Sequence, residues 1–177
     1  LVGVIMADTG LHLPDFRAAE RTFSLLVQVA GRAGRFFPDG KVIVQSYTPK
    51  RSAIYFACKN YIDEFYKEEL EQRKILAFPP FARLIRLVFR SANQQIAEQA
   101  ATSAAEILES FKEKYNYEDF EVLGPSECPL SKISANYRYQ IILRAESIKT
   151  IQSATARFSY NYKNKQGVYI EVDVDPT

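Results

Sequence analysis

A chain of 177 residues, 47% apolar and 25% charged, has the composition of a folded globular protein of one domain or two small ones. Its net charge of +2 does not by itself indicate a nucleic-acid partner. Two cysteines without CxxC spacing and a single histidine, His12, exclude a zinc site, so Cys58 and Cys128 read as reduced thiols of a cytoplasmic protein. No apolar run reaches the roughly 18 residues of a membrane span. The apolar start, residues 1–7, has no cationic residues before it and does not open on Met. It reads as an internal strand, so we expect a piece of a longer protein.

In chain order, residues 2–6 fit a short buried parallel strand. Residues 8–15 read as a loop, with Gly10 and Pro14. A helix is predicted over 16–31, capped by Asp15, with Ala19, Phe23, Leu26, Val27 and Ala30 on one face. Pro38-Asp39-Gly40 is a turn and residues 41–47 a strand. Pro49 and Ser52 introduce one long helix to Leu76, striped by Ile54, Cys58, Tyr61 and Phe65, whose stretch 64–74 is charged and solvated. The aromatics of this helix, Tyr55, Phe56, Tyr61, Phe65 and Tyr66, read as packing onto a further lobe rather than as a binding platform. Two strands are too few for a covered parallel sheet. Further strands are therefore expected upstream, and an open strand edge leads us to expect self-association through residues 1–76.

The pattern changes at Phe78-Pro79-Pro80-Phe81, which divides the chain into 1–77 and 78–177. Residues 83–91 alternate as a strand, with Ile85, Leu87 and Phe89 against Arg86, Val88 and Arg90. A helix follows over 94–114, then short strand pieces at 121–123 and before Ser134, around Gly124-Pro125. A strand over 138–144, a helix over 147–162 and a strand over 168–174 complete the chain. In the last strand Val168, Ile170, Val172 and Val174 should face inward. The order β-α-(β)-β-α-β is that of a split βαβ, ferredoxin-like sandwich.

The most specific local pattern is Gln28-x-x-Gly31-Arg32-x-Gly34-Arg35. Neutralising charge on a transferred phosphoryl group suits arginine, whose rigid fork keeps its proton. Arg32 and Arg35 lie three apart at a helix end and can reach one phosphate. Gly31 and Gly34 let the phosphates approach the backbone. The plainer alternative is a helix C-cap, with a glycine ending the helix and the arginines meeting its dipole.

This segment resembles the sixth conserved motif of superfamily-2 helicases, Q-x-x-G-R-x-G-R. The wider run from Ala7 through Asp8, Gly10, Pro14 and Phe23 to Arg35 is similar to the PriA, or primosomal protein N′, family of bacterial replication-restart helicases. Phe78-Pro79-Pro80-Phe81-Ala82-Arg83, Leu123-Gly124-Pro125, Tyr137-Arg138-Tyr139-Gln140 and Val172-Asp173-Val174-Asp175-Pro176 resemble further family landmarks. Ser24 and Cys128 depart from the family pattern, and neither touches the motif. The resemblance implies the distal part of RecA-like helicase lobe 2, a β-α-β-α remnant, followed by an α+β C-terminal domain. It implies that Gln28, Arg32 and Arg35 face ATP and Mg²⁺ bound mainly by another lobe, with Arg35 as arginine finger and Arg32 as a second γ-phosphate contact. Asp8 and Gly10 would lie in the loop that couples nucleotide to DNA. Zinc belongs to the parent and not to this fragment, which alone is expected not to hydrolyse ATP. Implied partners are forked, branched or single-stranded DNA, primosome proteins and single-strand-binding proteins.

Direct DNA contact by the second half is a separate expectation. Arg86, Arg90, Arg138 and Arg144 should project from the open sheet face, with Lys132 nearby and Tyr137 and Tyr169 able to stack on bases. Against it, Glu171 and Asp173 should neighbour the Arg86 strand and take up the charge in cross-strand pairs. The competing reading of the whole is a stand-alone ferredoxin-like module that binds nucleic acid or protein, with the arginine motif incidental.

Overall fold

β1 (Val2–Val4) and β2 (Val42–Val44) pair in parallel, Val2 opposite Val42 and Val4 opposite Val44. We describe residues 1–34 and 40–176 of a computed structural model; the turn expected at Pro38-Asp39 lies outside them. The chain divides into two compact units, Leu1–Leu76 and Ala77–Pro176. It is a mixed α/β protein, with one small parallel sheet and one antiparallel sheet.

In the first unit, the valines of β1 and β2 turn one face to the helices, while Gly3 and Ile43 point the other way and Ile43 is 61% exposed. Between them runs α1 (Ala18–Gly34), which starts two residues later and ends three later than the periodicity suggests. Asp15 does not cap it as expected. Its carboxylate instead accepts the Arg17 N–H at 2.8 Å and pairs with Arg21 at 2.8 Å, closing a turn ahead of the helix. The expected loop at 8–15 also contains order: Ala7–His12 winds as a 3-10 helix.

The single long helix expected up to Leu76 is two, α2 (Ser52–Lys59) and α3 (Ile62–Ile75). Asn60 breaks it by entering the left-handed region at φ 58°, which asparagine tolerates. The freed carbonyls are satisfied at once: Tyr61 N–H reaches back to Phe56 C=O at 2.9 Å and Asn60 N–H to Ala57 C=O at 3.1 Å. The break lets α3 fold back, so that Phe65 stacks on Phe23 of α1 with ring centroids 3.9 Å apart. Leu26, Ala53, Ile54 and Ala57 complete that core. Of the charged stretch 64–74, Arg73 is no solvated residue. It bridges Glu20 and Glu69, each at 2.8 Å, and lies over the Phe16 ring.

The second unit comprises β3 (Arg83–Ser91), α4 (Gln94–Tyr115), β4 (Glu121–Ile133), β5 (Asn136–Ala145), α5 (Ile148–Asn161) and β6 (Tyr169–Val174). The sheet order is β4-β5-β3-β6, antiparallel throughout. Asn93 caps α4 through the Ile96 N–H and Ser147 caps α5 through the Thr150 N–H. α4 presents Ala97, Ala100, Ala101, Ala104 and Ala105 to the sheet, and these small side chains let it lie close over Phe89, Ile141 and Leu143. Leu108, Phe111, Ile151 and Phe158 fill the rest of this core.

One sequence expectation fails here, because strand ends are set by partners and not by local pattern. The two short pieces around Gly124-Pro125 are one 13-residue strand, β4, whose irregularity is absorbed by register shifts against β5. Gly124 makes the first shift possible. At φ 108° it sits where a Cβ would lie 2.9 Å from the Gln140 carbonyl. In β6, Val172 and Val174 lie opposite Leu87 and Ile85 on the helix side of the sheet, as alternation predicts, but remain 50% and 63% exposed. β6 is an edge strand, which leaves these positions open on one side. No helix among the described residues is long and apolar enough to cross a membrane.

Candidate functional site

The glycine-arginine pattern ends α1. Gln28 and Arg32 are one helical turn apart, both exposed, and neither has a hydrogen-bond or ion-pair partner among the described residues. Gly31 lies inside the helix, not beyond its end, so the C-cap explanation does not apply to it. A Cβ at Gly31 would meet nothing within 4 Å among the described residues. Packing within the unit therefore does not require glycine there, and the position presents bare backbone beside two long polar side chains. Gly34 is the last residue of α1, and Arg35 lies outside the described residues.

Asp8 and Gly10, expected beside the nucleotide, sit in the 3-10 helix at the carboxyl end of β1. Asp8 is 3% exposed. Its carboxylate accepts Tyr47 N–H at 2.8 Å, Thr48 N–H at 3.1 Å, Ser46 Oγ at 3.0 Å and the Thr48 hydroxyl. It thus clamps the loop after β2 to the turn after β1. Gly10 has a packing duty, since a Cβ there would lie 2.7 Å from Thr22 Oγ1. Ser46 and Thr48 were not singled out by sequence reasoning. Two hydroxyl residues just after a strand were the available signal, but their acid lies 38 to 40 residues away.

The Thr48 hydroxyl bond, helped by the Tyr47 and Ser46 donors, holds the Asp8 carboxyl at about 2, below its ordinary 3.8, against a burial effect of opposite sign. A depressed carboxyl stabilises the fold above its unfolded value. The contribution is lost as pH falls from about 3.8 through about 2. Asp8→Asn is therefore expected to lower the thermal midpoint at neutral pH by several degrees and to flatten its decline in that acid window. Identical pH profiles for both proteins by circular dichroism melting would count against the clamp.

On the second unit, the four arginines fall on the sheet face away from the helices, as alternation predicts, but each meets a carboxylate. Arg86 pairs with Asp173 at 2.7 Å, Arg90 with Glu171 at 3.0 Å, Arg138 with Glu171 at 3.9 Å, and Arg144 with Glu121. Arg83 adds a pair to Asp175 at 3.8 Å. Such pairs, partly exposed, are worth about 0–1 kcal/mol each. Their carboxylates stand where a phosphate would have to enter. Lys132 Nζ lies 3.2 Å from the Tyr137 hydroxyl and 4.4 Å from its ring centroid, and Arg90 lies 5.6 Å from the Tyr169 centroid. Cys128 is buried beside Arg138, Arg86 and Glu171, and burial pushes its thiol pKa up, the opposite of an activated cysteine. No group of three His, Cys, Asp or Glu side chains able to hold a metal ion occurs among the described residues.

These features define a class: an α/β protein whose parallel-sheet unit carries an exposed Gln-Gly-Arg helix end, joined to an antiparallel α/β sandwich with an ion-paired open face. The chain belongs to the primosomal protein N C-terminal domain family, whose model matches residues 74–177. Similarity extends over the first unit too. The replication restart protein PriA of Treponema pallidum is 46% identical over 176 residues, covering 99% of this chain and 26% of that protein. The PriA proteins of Borreliella burgdorferi and Bacillus subtilis are 43% and 36% identical, over 99% of this chain and 26% and 22% of theirs. The chain thus spans about a quarter of the length of these curated relatives.

Proposed function

We propose that this chain is the distal part of the second RecA-like lobe of an ATP-driven replication-restart helicase, joined to a ferredoxin-like C-terminal domain. Supporting the first half are the parallel pair β1-β2, the connecting α1 and the helix-end motif. The element order β-α-β-β-α-β with sheet order β4-β5-β3-β6 supports the second. The relatives' name supplies the process, replication restart. Forked, branched or single-stranded DNA as the substrate, with primosome and single-strand-binding proteins as partners, completes our reading of the motif.

One observation carries the nucleotide reading. Gln28 and Arg32 extend into solvent with no partner among the described residues, flanking bare backbone at Gly31. This fits the trans side of a nucleotide site. In this reading another lobe holds the metal and the phosphates. ATP bound there supplies the phosphoryl group. On this chain's side, Gln28 orients polar groups at its edge, Arg32 and Arg35 offset charge on the phosphates, and Gly31 and Gly34 let the backbone come near. Alone, the chain binds no nucleotide productively and does not hydrolyse ATP. A direct-contact role of Arg86, Arg90, Arg138 and Arg144 requires phosphates to displace Asp173, Glu171 and Glu121, and Lys132 and Tyr137 are engaged with each other. We therefore place that face second to the helix end.

Gly31→Ala separates function from folding. Alanine fits the open space and favours a helix interior over glycine by about 0.5–1 kcal/mol. The variant should melt slightly higher than the parent sequence. In a polypeptide that also contains the phosphate-binding lobe, it should lower ATP turnover by about tenfold or more. A gain in stability with turnover intact would refute the role of this backbone at a nucleotide.

A further inference from the structure

The loop after β2 has no duty in the nucleotide reading, yet its chemistry is distinctive. From Lys41 to Asn60 the sequence carries four cations (Lys41, Lys50, Arg51 and Lys59) and no acid, in a chain whose net charge is only +2. Tyr47 is 80% exposed. Tyr47, Thr48, Pro49, Lys50 and Arg51 line one shallow concavity of about 450 Å³. Neither Lys50 nor Arg51 has an ion-pair partner among the described residues, unlike every arginine considered on the second unit's sheet. The loop is held as well as exposed: Asp8 accepts the amides of Tyr47 and Thr48, and Arg51 N–H returns to Thr48 C=O at 2.9 Å. Its place is at the carboxyl ends of the parallel strands, where open α/β sheets bind ligands.

We infer that this loop is a binding site for single-stranded nucleic acid, with one base stacked on Tyr47 and the adjoining phosphates met by Lys50 and Arg51. The site deepens the proposed nucleic-acid function and rests on it. An exposed ring with a positive strip beside it is the chemistry that single strands recognise, because every base offers a π-face and every step a phosphate. A protein partner fits less well. Covering Lys50 and Arg51 without carboxylates would strand two desolvated charges. The clamp adds preorganisation, since the ring's backbone is already fixed when the base arrives.

Fluorescence anisotropy of a labelled oligothymidylate with the full chain, at several salt concentrations, tests the site. Tyr47→Ala should weaken binding about tenfold, and Tyr47→Phe, which keeps the ring, should retain it. The double variant Lys50→Ala, Arg51→Ala should flatten the slope of log affinity against log salt by about 1.4, two phosphates at roughly 0.7 each. Wild-type binding unchanged in both variants overturns the loop as the site and leaves the proposed function standing. Failure of the wild type to bind overturns both. Oligothymidylate affinity unchanged in Tyr47→Ala, together with a smaller mass by light scattering, makes the loop a protein contact and overturns the inference.

Discussion

In a polypeptide that includes the phosphate-binding lobe, Arg35→Ala is expected to lower ATP turnover by about three orders of magnitude while leaving nucleotide affinity within a few-fold. Charge builds on the phosphoryl oxygens as the bond to the leaving group stretches, so a guanidinium brought from the opposite side contributes most at that moment. A uniform loss of affinity with turnover preserved would make Arg35 a ground-state contact and refute the finger role. Lysine should restore little, because a point charge on a flexible stem does not reproduce the planar fork. Arg32→Ala and Gln28→Ala should cost less. The ranking matters as much as the magnitude. If Arg32→Ala is the more damaging, the roles of the two arginines are exchanged.

The second large effect is on stability. Leu108→Ala should destabilise the second unit by about 3–4 kcal/mol. Leu108 is completely buried on α4, in the cluster with Phe89, Ile141 and Leu143, so its loss leaves a void that the sheet cannot collapse to fill. Val172→Ala, on the helix-side face of the sheet but half exposed, is the matched control and should cost under about 1 kcal/mol. Urea titration followed by circular dichroism checks both. Equal midpoints for the two variants would contradict the packing described for α4.

Where burial and period coincide over many residues, the fold was legible in advance. β3 and α4 follow their expected bounds almost residue for residue, because apolar positions at period two and period 3.6 leave few alternatives. The helix break at Asn60 was not legible. Its cause is Phe65 finding Phe23, a contact between residues 42 positions apart in the chain that no local window contains. The bulged β4 was missed for a similar reason, since only pairing with β5 makes one strand of its two halves. Gln28 and Arg32 fall one turn apart on an exposed stretch of α1, as their local spacing implied. The arginine-carboxylate pairs between β3 and β6 were readable: strand alternation put the charges on one face, and the expected neighbouring of the two strands brings Arg86 to Asp173 and Arg90 to Glu171. Asp8 was read as part of the loop that couples nucleotide to DNA; its carboxylate accepts hydrogen bonds from the loop after β2, which no local window contains.

That clamp has a mechanical side. Two segments nearly forty positions apart along the chain share one anchoring oxygen pair, so the 3-10 turn and the Tyr47 loop cannot drift separately. A push on either is felt by both, and the ends of the two strands respond as a single jaw hinged on one aspartate.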